Sequence, residues 1–215
     1  MRITSGFARG ILLDSPRGKS TRPATDAARQ AIFSSLGGIV EEASVIDLFA
    51  GTGSYGLEAA SRGAASVLFF ENDRNALGAL RANLERVKKA VNSAGGGFSA
   101  KILPCDCLKI SLQPEEKNFD IVFADPPYSM LLTPDTLSKI FGMFERLNGS
   151  NTIFALEAPA EFDLNATTPP PDCEFEIIKR LGKSSAGKPS QIIFRIKKYE
   201  RARHDNRNSI QKKRH

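Results

Sequence analysis

From residue 44 to residue 157, short apolar runs alternate with stretches of helical period. No other feature constrains the fold as much. Runs at 44–49, 66–70, 100–103, 119–124 and 151–157 predict strands. Stretches at 55–62, 74–91 and 134–147 predict helices, and Leu77, Leu80, Leu84 and Val87 recur on one side of the second. Parallel strands need a crossover between them, so this order predicts a mostly parallel sheet with helices on both faces. The last two apolar runs, 174–180 and 191–197, have no helical stretch between them and predict an antiparallel edge hairpin. The expected class is α/β with a seven-stranded sheet. Ahead of it, a small hairpin at 3–13 and a helix at 26–36 form an extension, with Thr25 placed to cap the helix.

The chain divides into residues 1–40, residues 41–198 and a polar tail at 199–215 that reads as disordered. Charge follows the same division. Residues 1–30 carry a net +4 and residues 195–215 a net +7, which leaves −5 between them in a chain of net +6. Basic ends on an acidic body suit a polyanion partner, although a solvated basic tail has the same composition. No apolar run approaches the roughly 20 residues that span a bilayer, and the first residues lack a signal-peptide core. A soluble, cytoplasmic protein is expected. Cys105, Cys107 and Cys173 have neither disulfide-framework nor zinc spacing, and both histidines lie in the tail, so no metal site is expected.

Chemistry-bearing residues fall where the predicted strands end. Asp47-Leu48-Phe49-Ala50-Gly51-Thr52-Gly53, followed by Gly56, occupies the first strand-to-helix turn. Glycines there let a ligand approach the backbone, although a tight turn would use them too. Glu71 ends the second strand and suits a ribose; Asp106 follows the third and could reach an adenine amino group. Asp125-Pro126-Pro127-Tyr128 ends the fourth. Its carboxylate, a free carbonyl between rigid prolines and an aromatic face suit a planar ring bearing an exocyclic amine. Taken alone, Asp-Pro-Pro is also plain loop punctuation.

Three ligand classes compete for this edge. A nicotinamide dinucleotide would use the glycines and Glu71 but gives no reason for Asp125 to Tyr128. A phosphate-hydrolysing site would want a lysine after the glycines, where Ser54 and Tyr55 stand. S-adenosylmethionine accounts for every element, with its methyl directed towards Asp125. Expected cofactor contacts are Asp47, Phe49, Gly51, Gly53, Glu71, Asn72, Asp106 and Cys107.

With these residues in place, the chain resembles the RsmD-type 16S rRNA guanine-N2 methyltransferases, within the amino-methyltransferases that carry an (Asn/Asp/Ser)-Pro-Pro-(Tyr/Phe) motif. The resemblance runs to about Lys198. It rests on Arg2-Ile3 with Arg9-Gly10, Arg22-Pro23-Ala24-Thr25-Asp26 with Arg29, Asp47 to Gly53, Gly56-Leu57-Glu58-Ala59, Ser61-Arg62-Gly63-Ala64, Glu71 and Asp125 to Tyr128. Ala24, Ala27-Ala28 and Thr4-Ser5-Gly6 depart from the family pattern. The resemblance implies a Rossmann-like S-adenosylmethionine-dependent methyltransferase fold. It also implies methylation of a guanine N2 in 16S rRNA, naked or in an assembling small subunit; a monomer is expected. Asp125, Pro126, Pro127 and Tyr128 would be catalytic. Arg9, Arg17, Lys19, Arg22 and Arg29 would contact rRNA phosphates in the extension. Arg22 or Arg29 has a second reading, as an ion pair that holds the extension on the core. Two other functions compete: a DNA adenine-N6 methyltransferase, for which no recognition insertion is visible, and a noncatalytic rRNA-binding assembly factor.

Overall fold

A computed structural model describes residues 1–15, 26–110, 119–182 and 185–199. Seven strands form one sheet: β1 (Ser44–Asp47), β2 (Ser66–Phe70), β3 (Ser99–Leu103), β4 (Ile121–Ala124), β5 (Ile153–Pro159), β6 (Cys173–Gly182) and β7 (Pro189–Lys198). Their order is β3-β2-β1-β4-β5-β7-β6. The first five run parallel, and β7 pairs antiparallel with both β5 and β6. The expected sheet and its antiparallel edge hairpin are both present.

Among the described residues, five α-helices pack on the sheet: α1 (Asp26–Leu36), α2 (Ser54–Ser61), α3 (Arg74–Ser93), α4 (Tyr128–Leu131) and α5 (Pro134–Leu147). Apolar residues of α1, α2 and α3 join Val45, Val67, Phe69, Ile121 and Phe123 in one core. Residues of α4 and α5 join Ile46, Phe70, Val122, Phe154 and Phe194 in the other. Alternate residues of each strand feed opposite cores, as the pleat requires for a sheet covered on both faces. Leu77, Leu80, Leu84 and Val87 are all buried, so the helical spacing read in the sequence is the packing face of α3. Asp73 caps that helix by accepting from the N–H groups of Asn75 and Ala76.

The N-terminal hairpin is reduced to one antiparallel bridge, Arg2 to Leu12. Gly6 and Gly10 have φ of +78° and +88°, so the chain turns twice in the left-handed region and leaves no length for strands. Ile3, Ala8 and Leu13 are nonetheless buried in the same core as α1 and α2. The extension therefore shares the sheet's core.

Candidate active site

The chain order of the sheet reverses beside β1. From there β2 and β3 build outward on one side and β4 and β5 on the other. Ligands of open parallel sheets bind outside the carboxyl ends of the strands at such a reversal. Here the carboxyl ends present Asp106, Glu71, Asp47, Asp125 and Glu157 in spatial order across five adjacent strands.

The glycine turn lies at the centre of this edge. Gly51 has φ +54°, and a Cβ there would meet nothing within 4 Å, so open space lies above it. Gly53 has φ +82°, and a Cβ would meet Leu80 Cδ1 at 2.4 Å. At Gly56 a Cβ would stand 2.3 Å from the Phe69 ring, so its absence lets α2 lie close against β2. Asp47 anchors this helix: one carboxylate oxygen accepts from the Gly56 N–H at 3.0 Å. The other oxygen, Oδ1, is buried with no hydrogen-bond partner among the described residues. Burial pushes the Asp47 carboxyl up to about 7; the Gly56 N–H opposes that shift and the Glu71 carboxylate adds to it.

Glu71 serves the turn more than expected. It accepts from the N–H groups of Gly51 (2.7 Å), Asn72 (2.8 Å) and Asp73 (2.7 Å). A carboxylate offers roughly four acceptor sites, so it has room for about one further donor. Asp106 accepts from the Leu108 N–H at 3.0 Å and pairs with Lys109 at 3.5 Å. Cys107 turns its side chain into the core, where burial and then the Asp106 carboxylate push the thiol up to about 12. Phe49 is half-buried against the α4 and α5 side, and Asn72 is exposed.

Asp125 stands one residue beyond β4, partly exposed, followed by buried Pro126 and exposed Pro127. The Pro127 carbonyl accepts from the Met130 N–H at 2.8 Å. Among the described residues no backbone N–H donates to the Pro126 carbonyl. Burial raises the Asp125 carboxyl well above the usual carboxylate range, and the Glu157 and Asp47 carboxylates raise it further. Tyr128 opens α4 and is half-buried.

Sequence reasoning missed the support beneath this shelf. Glu157 of β5 is 4% exposed, and one of its oxygens accepts from the Tyr55 hydroxyl at 3.0 Å and from the Gln191 amide. Burial raises the Glu157 carboxyl, and the Tyr55, Gln191 and Tyr128 side chains oppose that rise. Tyr55, from α2, stacks on Phe123 with ring centroids 5.2 Å apart. A lone glutamate inside the apolar run Ile153–Pro159 was the available signal, since buried carboxylates are rare without partners.

One expected RNA contact is corrected. Arg29 is fully buried: its Nε lies 3.6 Å from Glu58, and its Nη2 donates to Asp26 at 2.9 Å and to the Arg2 carbonyl. A guanidinium with no exposed surface cannot reach a phosphate, so its second reading, the ion pair, is the one realised. Glu58 also accepts from the Thr4 N–H (2.8 Å) and hydroxyl (2.6 Å) and from Arg62 Nε (2.8 Å). Ser61 Oγ donates to the Ser5 carbonyl at 2.6 Å. Gly-Leu-Glu-Ala and Ser-Arg-Gly-Ala thus clamp the N-terminal loop onto α2. Arg9 is exposed on that loop, while Arg17, Lys19 and Arg22 lie outside the described residues.

The donors and acceptors on this edge fit S-adenosylmethionine. The buried Asp47 Oδ1 lacks a donor, the space above Gly51 is open and Glu71 can take a hydroxyl. Among the described residues no group of three His, Cys, Asp or Glu side chains is placed to hold a metal, and no helix is long and apolar enough to cross a membrane.

Comparison with known proteins agrees with this geometry. The family model described as Conserved hypothetical protein 95 matches residues 1–170. A ribosomal RNA small subunit methyltransferase D from Haemophilus influenzae is 32% identical over 141 residues, covering 65% of this chain and 70% of that protein. The protein of the same description from Escherichia coli K12 is 34% identical over 140 residues, covering 65% and 66%. The solved structure of yhhF, a candidate methyltransferase from Escherichia coli, superposes with a TM-score of 0.64 at 26% identity, over 93% of this chain and 99% of that one. The chain belongs to the Conserved hypothetical protein 95 family, that of the ribosomal RNA small subunit methyltransferase D proteins.

Proposed function

We propose that this protein methylates the exocyclic N2 amine of a guanine in 16S rRNA, using S-adenosylmethionine and acting in the cytoplasm as a monomer. The observation that carries the reading is the place of the Asp125–Tyr128 shelf. It adjoins the glycine turn at the reversal of the sheet, so a base on the shelf and a cofactor on the turn would meet across one strand spacing.

The guanine amine is a poor nucleophile because its lone pair is delocalised into the ring. The Asp125 carboxylate and the Pro126 carbonyl would accept its two hydrogens, which favours a pyramidal nitrogen. The same two acceptors stabilise the positive charge that grows there in the transition state, and the methylated nitrogen would then lose one proton to the Asp125 carboxylate or to water. The Tyr128 ring would stack on the base, and alignment of this kind contributes up to ~7–11 kcal/mol in well-oriented systems. S-adenosylmethionine, when bound, supplies the methyl on a sulfonium that keeps the bonding electrons on departure. Asp47 would hold the glycine turn beneath the cofactor, Glu71 would take a ribose hydroxyl, and Asp106 the adenine amine. The target base must leave its stack to reach the shelf. Residues 1–40 would form the RNA-contacting part, with Arg9, Arg17, Lys19 and Arg22 on phosphates, and the basic tail would add sequence-independent affinity.

The test is mass spectrometry of rRNA nucleosides from a deletion strain complemented with wild type or with Asp125→Ala. One N2-methylguanosine should vanish on deletion and return only with wild type. Full restoration by Asp125→Ala, with cofactor binding intact, would remove the shelf from the chemistry. Loss of N6-methyladenine from DNA would favour the competing methyltransferase. No change in any methylated nucleoside would favour the assembly factor.

A further inference from the structure

The helices of this fold differ sharply in charge. α3 carries Arg74, Arg81, Arg86, Lys88 and Lys89 against Glu85, a net +4. The stretch between the two basic ends, residues 31–194, is net −5, so without α3 it is net −9. α5, on the other face of the sheet, is neutral, and its Lys139 pairs with Asp135 at 2.6 Å.

These cations do not serve their own helix. Arg74 stands in the first turn, where the helix dipole disfavours a positive charge. Glu85 lies four residues from both Arg81 and Lys89, the spacing that pairs charges on a helix. Yet among the described residues Arg74, Arg81, Lys88 and Lys89 form no ion pair, and all four are exposed. Arg74, Arg81 and Lys88 are spaced by seven residues, close to two helical turns. They therefore form a stripe about 21 Å long, clear of the buried face of Leu77, Leu80, Leu84 and Val87.

The stripe begins beside the candidate active site. β2 ends at Phe70, Glu71 follows it, and α3 starts at Arg74 and runs back along the sheet towards the start of β3. Another flank of α3 holds the N-terminal loop. Arg86 pairs with Asp14 at 2.8 Å, and Asn83 donates to the Asp14 and Thr52 carbonyls, each at 3.0 Å. The loop that exposes Arg9 and the stripe thus lie on the same face of the sheet, joined through α3.

Resting on the rRNA substrate proposed above, we propose that the exposed face of α3 is a second docking surface for RNA, on which Arg74, Arg81 and Lys88 hold phosphates of the rRNA flanking the target guanine. A row of unpaired cations fits a polyanion, because each bound phosphate releases counterions and adds affinity without a base contact. The acidic charge on the rest of the body repels RNA, so the backbone is steered onto this row and the N-terminal loop. Phosphate contacts of this kind fix register and orientation and carry no sequence information. The surface acts on RNA binding and not on the transfer step.

The test follows binding of the full chain to a 16S rRNA transcript over a range of salt. Turnover is measured on that transcript and on small subunits from the deletion strain. Arg74→Gln/Arg81→Gln/Lys88→Gln should unfold and bind S-adenosylmethionine as wild type. Its RNA affinity should fall roughly 5-fold for each charge removed, about 100-fold in all at about 0.1 M salt. The slope of log affinity against log salt should lessen by about 2. KM for RNA should rise with kcat unchanged. Glu85→Lys, which adds a cation between Arg81 and Lys88, should tighten binding and steepen the slope by about 0.7. Lys139→Gln/Arg146→Gln on α5 should leave affinity and slope at their wild-type values. Wild-type affinity and slope in the triple variant or in Glu85→Lys, or an equal loss in the α5 variant, would overturn this surface alone, while methylation by wild type still upheld the proposed function. A wild-type protein that neither binds nor methylates the transcript or the subunits would overturn both.

Discussion

Arg29 and Glu58 lie fully buried between α1 and α2, with the guanidinium Nε 3.6 Å from a carboxylate oxygen. The pair is the hub that fastens the N-terminal loop to the core, because Glu58 also takes Thr4 and Arg62 and because Arg29 also takes Asp26 and the Arg2 carbonyl. Removing one partner of such a pair leaves an uncompensated buried charge. Arg29→Ala and Glu58→Ala should each lower stability by about 3–5 kcal/mol in urea unfolding. Retained stability would mean that the network is optional.

The glycine turn predicts two different failures. Gly56→Ala drives a methyl into the Phe69 ring and should cost about 1–3 kcal/mol of stability by overpacking. Gly51→Ala meets nothing, so its cost is about 1–2 kcal/mol for a non-glycine residue at φ +54°. Its methyl would instead fill the space above the turn, so cofactor affinity should fall more than stability does. Thermal unfolding with and without S-adenosylmethionine separates the two variants.

Asp47 makes stability depend on pH. Its folded carboxyl, at about 7, lies above the unfolded value of 3.8. The folded state therefore binds the proton more tightly, and stability falls as pH rises from about 4 through about 7. The effect is on the order of 4 kcal/mol at most. Asp47→Asn should flatten urea-unfolding free energy across that window.

Arg9, exposed on the clamped loop, belongs to the proposed RNA surface, whereas Arg29 does not. Arg9→Gln should reduce the slope of log affinity against log salt by about 0.7–1 for an rRNA fragment. Deleting residues 200–215 should flatten the slope further. An unchanged slope would show that the tail takes no part in binding.

The sheet, its edge hairpin and the acidic and glycine residues at the strand ends were all legible in the sequence, because each depends on residues close together in the chain. The apolar runs became strands within one or two residues at most ends, and α5 matches its expected span of 134–147. Tertiary structure decided what distance in the chain conceals. The role of Arg29 depends on Glu58, 29 positions later, and a basic residue beside other basic residues reads as an RNA contact until that carboxylate buries it. The buried group of Tyr55, Glu157 and Gln191 likewise draws on three separate elements and assembles only when β5 and β7 pair beneath α2. Periodicity and turn chemistry act over a few residues and can be read from the chain. Desolvation and hydrogen bonding act through space, so which charges are buried and what pairs with them emerged only with the fold.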